Sequence, residues 1–124
     1  PPVSVQHPRV PVWVPAVWPR MKNMRRALKC DGMFPTKMNR EGQFEEVTPE
    51  DVRSMCAFVR ENRTLSGPFD TVIEGKTSGI SAGEAKDRLL PWADAGATWW
   101  VESTWGLPED ELLACIHQGI PHIT

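Results

Sequence analysis

Apolar positions along this chain switch between strand-like runs and helical spacing four times, which predicts four strand–helix units. Arg9-Val10-Pro11-Val12-Trp13-Val14 is the first β-rich run. It follows a proline-heavy lead, with six prolines in the first 19 residues, so residues 1–9 read as extended. After Pro19, Met21, Met24 and Leu28 recur at helical spacing, with Arg25, Arg26 and Lys29 on other faces. A brief second strand, Gly32-Met33-Phe34, is introduced by Asp31 and closed by Pro35, and the polar stretch 36–47 reads as a surface loop.

Thr48-Pro49-Glu50-Asp51 starts the second helix strongly: a Thr cap, Pro at the first helical position and acids in the first turn. Val52, Met55, Cys56 and Val59 then form an i, i+3, i+4, i+7 stripe, the signature of a helix packed on a core. Gly67-Pro68 breaks the chain before a third strand, Phe69 to Glu74, and Gly75 and Gly79 bracket a turn. Ser81-Ala82-Gly83-Glu84 is a capping box; Ala85, Leu89 and Trp92 supply the apolar side of that helix, and Pro91 predicts a kink. Gly96 stops it, Thr98 to Val101 form the fourth strand, and Pro108 opens a last helix with Leu112, Leu113 and Ile116 facing inward and Gly119 at its end.

Short apolar strands separated by amphipathic helices predict an α/β fold with a parallel sheet covered by helices. Four units in 124 residues give about 31 residues per unit, the repeat of a (βα)8 TIM barrel of roughly 250 residues. The expected architecture is a single-domain (βα)4 half-barrel over 1–124, and a small doubly wound sheet uses the same unit. Four parallel strands cannot close, so both edges and one apolar face need a partner, with Trp13 and Trp99 or Trp100 partly exposed meanwhile. That partner is expected to be a second copy or a missing N-terminal half-barrel, with a monomer the least expected state.

Composition narrows the class further. Hydrophobic content of 40%, charged content of 24% and a net charge of -2 suit a soluble globular domain and give no footprint for nucleic acid or an anionic membrane. No apolar run approaches the ~20 residues that span a bilayer. Pro1-Pro2-Val3 has neither an initiating Met nor a signal sequence, so the segment reads as a piece of something longer. Cys30, Cys56 and Cys115 are odd in number and widely spaced, which speaks against a disulfide framework or zinc ribbon. Cys56 and Cys115 fall on predicted apolar faces, which suggests buried, reduced thiols and a cytoplasmic location. His7, His117 and His122 are scattered, and His117 suits a helix end better than a metal.

An ordered set of motifs points to a family. Pro11-Val12-Trp13-Val14, Val17-Trp18-Pro19, Arg25-Arg26-Ala27 and Asp31-Gly32-Met33-Phe34-Pro35 resemble the C-terminal half of luciferase-like flavin-dependent oxidoreductases. So do Thr48-Pro49-Glu50-Asp51, Gly67-Pro68-Phe69-Asp70, Glu74-Gly75 and Gln118-Gly119-Ile120-Pro121. Ala95-Gly96-Ala97-Thr98-Trp99-Trp100-Val101-Glu102 is the most telling of the set. The resemblance covers essentially the whole chain. It implies a TIM-barrel enzyme that uses FMN or a deazaflavin for hydride transfer or monooxygenation on a small-molecule substrate, this chain supplying strands five to eight. The chain departs from that pattern at Pro15-Ala16, where the family carries small residues or glycines, and it lacks strands one to four.

Candidate site residues follow from the C-terminal ends of the strands, where such folds place their chemistry. Glu74, Thr77 and Ser78 follow the third predicted strand; Glu102, Ser103, Thr104 and Trp105 follow the fourth. Gly75 and Gly79 would let backbone amides approach a phosphate, with Lys76 as the point charge; solvated loop residues are the plain alternative. Glu74 and Glu102, on neighbouring strands, would have one pKa raised by the other; a salt bridge to Arg20 or Lys76, or simple solvation, is the alternative. Trp105 would stack on a flavin ring or plug the barrel end. The cofactor-binding candidates are thus Glu74, Gly75, Lys76, Thr77, Glu102, Ser103 and Trp105. No nucleophile–base–orienter set stands out. The competing class is a non-catalytic half-barrel that homodimerises as a binding or assembly module.

Overall fold

Strands and helices alternate in the computed structural model, which describes residues 2, 3 and 5–119. In chain order these are β1 Trp13–Trp18, α1 Met21–Ala27, β2 Gly32–Met38, β3 Phe44–Glu45, α2 Pro49–Asn62, β4 Asp70–Gly75, α3 Ala82–Ala95, β5 Trp99–Glu102 and α4 Glu109–Gln118. The lateral order is β1-β2-β4-β5, all parallel, and β3 adds to the far end of β2 as a short antiparallel hairpin.

Two strands differ from the sequence expectation, and proline is the reason in both. β1 begins at Trp13 instead of Arg9, because Pro8 and Pro11 bring no N–H to a ladder. The lead is tied down by Asp31, whose carboxylate accepts from the Val12 N–H at 2.8 Å and from Arg9 Nη1 at 2.6 Å. Pro15 and Ala16 therefore lie inside β1 rather than in a turn after it. An edge strand tolerates Pro15, whose carbonyl accepts from Arg26 Nη2 at 3.2 Å. β2 likewise runs through Pro35 to Met38, and the Thr36 hydroxyl donates to the Ala16 carbonyl at 3.2 Å. The predicted loop 36–47 is thus mostly the β2–β3 hairpin, closed by Asn39 and Gln43.

Both capping boxes form. The Thr48 hydroxyl accepts from the Asp51 N–H while the Asp51 carboxylate accepts from the Thr48 N–H; Ser81 and Glu84 repeat the pattern on α3. α3 continues through Pro91 and ends at Gly96 with φ 114°, a left-handed value that glycine adopts without Cβ strain.

Helices α1, α2 and α3 all pack on one face of the sheet. Ala16 of β1 and Met33 of β2 meet Met24 and Ala27 of α1 and Met55 and Val59 of α2, all buried. Ile73 of β4 joins Val52 of α2 and Ala95 of α3 in an adjoining cluster. Cys56 packs beside both clusters but is only half-buried, as is Cys115, so these two thiols are less enclosed than their predicted apolar faces imply. The opposite face carries Trp13, Phe34, Val72, Trp99 and Val101. Trp13 packs on Phe34 with ring centroids 5.9 Å apart and on Trp99 at 5.5 Å. Val72 is buried there, yet Trp99 keeps 53% of its surface exposed and Val101 keeps 37%. A sheet wound in chain order with α1–α3 on one side is not a doubly wound sheet, which needs helices on both faces.

α4 corrects a further expectation. None of its residues is buried, and Leu113 and Ile116, expected to face inward, are 47% and 63% exposed. The helix has acids in its first turn and a Gly119 stop, but little of the described chain packs on its apolar side. The Ile120-Pro121 end of the closing motif and His122 lie outside the described residues.

Candidate functional site

The C-terminal ends of β4 and β5 bring the predicted residues together, but on two sides of the sheet. β4 and β5 pair as Ile73↔Trp100, Glu74↔Val101 and Gly75↔Glu102. Since side chains alternate along a strand, Glu74 stands on the open face while Glu102 stands on the helix-covered face. Each acid finds its own partners.

Glu74 accepts a hydrogen bond from the Trp105 indole at 2.5 Å. Both are exposed, Trp105 by 88%, so the indole lies over the rim of the open face. Glu102 instead reaches the turn after β4. Its Oε1 accepts from the Thr77 N–H at 2.6 Å and the Ser78 N–H at 2.7 Å; its Oε2 accepts from the Thr77 hydroxyl at 2.8 Å and from Trp100 Nε1 at 3.2 Å. Burial pushes the Glu102 carboxyl up, but these four hydrogen bonds outweigh it and hold the group below the ordinary glutamate value. Glu102 is therefore held down, not raised by a neighbouring acid. Arg20, a predicted partner, donates to the Asn39 carbonyl at 2.8 Å, and no ion pair joins Lys76 to either acid among the described residues.

Gly75 has a different role from the one its sequence context suggests. A Cβ there would stand 2.3 Å from the Trp100 ring, so the glycine makes room for an indole lying on β4. The Ser103 N–H extends the ladder by donating to the Gly75 carbonyl at 2.7 Å. Gly79, at φ +83° with nothing near its Cβ position, is the turn's conformational glycine. Lys76 is exposed, and its carbonyl accepts from Arg88 Nη1 of α3 at 2.5 Å. Thr77 is 2% exposed. The amides of Thr77 and Ser78, the natural anion donors of this turn, are already engaged by an anion of the chain itself.

Two concavities flank this rim. β2 and β4 pair only at Gly32↔Asp70 and Met33↔Thr71, then separate, leaving a cleft of about 300 Å³ between Phe34, Thr36, Glu46, Val72, Glu74 and Trp92. Phe34, read only as a strand residue, and Thr36, expected in a loop beyond Pro35, were not among the predicted site residues. The second, also about 300 Å³, lies between Ser78, Glu102 and Thr104 and the apolar side of α4 at Leu112, Cys115 and Ile116. Among the described residues no group of three or more His, Cys, Asp or Glu side chains converges to hold a metal ion.

The chain matches no protein-family model, no curated protein and no solved structure. Its functional reading rests on its own residues. At the opposite end of the strands, Trp13 Nε1 donates to Asp70 at 3.2 Å, and the Thr98 hydroxyl bonds the same carboxylate at 3.1 Å. That polar tie was not visible in the sequence, since 57 residues separate Trp13 from Asp70. No helix among the described residues is long and apolar enough to cross a membrane.

Proposed function

We propose that this chain is the strand-five-to-eight half of a luciferase-like (βα)8 barrel, an oxidoreductase using FMN or a deazaflavin for hydride transfer or monooxygenation on a small-molecule substrate. One observation carries the reading: a parallel sheet wound in chain order, with α1–α3 on one face and an aromatic face left open on the other. In a barrel that open face is the interior, filled by layers of side chains from successive strands. Trp13, Phe34, Val72, Trp99 and Val101 are apolar and bulky enough for such layers.

Within this reading Glu74 and Trp105 stand at the barrel mouth, Gly75, Lys76 and Thr77 form the adjoining rim, and Glu102 with Ser103 fixes that rim from behind. The cofactor supplies the redox chemistry, and the protein supplies orientation and polarity around it. An N-terminal half-barrel completes the walls, and three unpaired cysteines favour a reducing, cytoplasmic setting. Titrating the protein with FMN and with a deazaflavin while recording visible absorbance and cofactor fluorescence tests the proposal. Band shifts and quenching with either cofactor support it; a protein that perturbs neither overturns it.

A second reading, a non-catalytic half-barrel that pairs with its own copy, is favoured by one specific observation. The Thr77 and Ser78 amides are consumed internally by Glu102. A dimer in sedimentation that ignores both cofactors selects this reading.

A further inference from the structure

We infer that the turn after β4 is an oxyanion-binding cradle whose resident ligand is the chain's own Glu102. Four donors converge on that one carboxylate: the Thr77 and Ser78 amides, the Thr77 hydroxyl and the Trp100 indole. A carboxylate offers about four lone-pair sites, so Glu102 is saturated. The donors arrive from two separate segments, and the two amides are consecutive, which is how backbone nests hold carboxylates and phosphates. Gly75 keeps the cradle compact, because only a residue without Cβ lets the Trp100 ring lie on β4 and aim its N–H at Glu102.

The cradle also holds one donor more than Glu102 uses. Among the described residues Ser78 Oγ is buried without a hydrogen-bond partner, and Ser78 lines the concavity beside Glu102. A planar carboxylate has no acceptor site left for it, whereas a tetrahedral oxyanion with further oxygens has. Lys76 lies one residue before Thr77 and is exposed, so the surroundings add positive charge. The ligand class is therefore a carboxylate or phosphate oxyanion, and in the intact chain Glu102 excludes external ones. The consequence for the rim is direct: a cofactor phosphate does not enter this turn unless Glu102 leaves it. This inference stands on the turn's geometry and does not depend on the cofactor reading.

Anion rescue of Glu102→Ala tests it, with inorganic phosphate, acetate and chloride compared at equal ionic strength. Removing the side chain leaves the donors in place and opens a space the size of a small carboxylate. We expect phosphate and acetate, but not chloride, to raise the Tm of Glu102→Ala by about 3 °C or more, while wild type shows no such selectivity. Adding Ser78→Ala to that variant should remove the advantage of phosphate over acetate. A Glu102→Ala protein that responds to all three anions alike, or to none, overturns the inference. Should Glu102→Ala not fold, Glu102→Gln gives the second arm, read by amide exchange of Thr77 and Ser78. In wild type, acid should speed that exchange roughly tenfold relative to neighbouring amides once intrinsic rates are removed, and in Glu102→Gln that acid dependence should vanish. Equal acid dependence in both proteins counts as refutation.

Discussion

The two faces of the sheet are built from similar residues and end in opposite states. On the helix-covered face Met24, Met33, Met55 and Val52 lose all contact with solvent. On the other, Trp99 and Val101 stay exposed although they belong to the same ladder as buried Ile73. Hydrophobicity alone does not bury a side chain; a covering element must be present, and among the described residues α1–α3 cover one side. The open face is therefore where apolar surface stays in water, and the covered face is where the enclosed core lies.

The largest expected effect sharpens that contrast. Met33→Ala should cost about 2–5 kcal/mol by urea denaturation, since it empties a fully enclosed site. Trp99→Ala, though a larger deletion, should cost about 1 kcal/mol or less in the isolated chain, because half the ring is already in water. Equal costs would mean that the open face is covered in solution, and Trp99→Ala would then lower the sedimentation coefficient as well.

Next in size comes the rim. Gly75→Ala should lose about 1–3 kcal/mol, because its new Cβ collides with the Trp100 ring. Pairing it with Trp100→Leu should recover most of the loss if that collision is the cause. Thermal melts of the single and double variants decide the point.

The caps follow. Thr48→Ala and Ser81→Ala should each cost about 1 kcal/mol. Their acidic partners add a pH signature. Asp51, Glu84, Glu102 and Asp31 are all held below their ordinary values in the folded chain, so unfolding raises their proton affinity. Their contribution is complete above the ordinary carboxyl values of 3.8 for Asp and 4.5 for Glu and is lost as pH falls through and below them. Urea midpoints should decline on acidification past that point, less steeply in Glu102→Gln. A midpoint that rises there would contradict the assigned hydrogen bonds.

The smallest effect belongs to α4. Leu113→Lys should change stability by no more than about 0.5 kcal/mol, since the residue is already 47% exposed. A larger loss would show that α4 packs against something in solution.

Much of the helical framework was legible beforehand because its signals are local. Thr48-Pro49-Glu50-Asp51 and Ser81-Ala82-Gly83-Glu84 act within one turn, and Gly96 needs only its own positive φ. The strands were harder to bound. Prolines 15 and 35 look like strand stops, but a proline's missing N–H matters only if a partner carbonyl waits for it, and that depends on neighbours far along the chain. The rim was half legible. Glu74, Thr77, Ser78, Glu102 and Trp105 were placed correctly at the strand ends, yet which acid met which donor was not, because one residue of register decides the face.

What this sequence determined by itself is the alternation of strand and helix, the capping boxes that start α2 and α3, and the glycines that stop α3 and α4, all consequences of short-range backbone chemistry. Tertiary structure alone decided that α1–α3 share one face, that Gly75 exists for Trp100, and that Glu102 turns away from Glu74 to fill the cradle at Thr77 and Ser78. Those outcomes depend on register and on contacts between residues some 25 positions apart, where the pairing of strands, not local preference, sets which atoms meet.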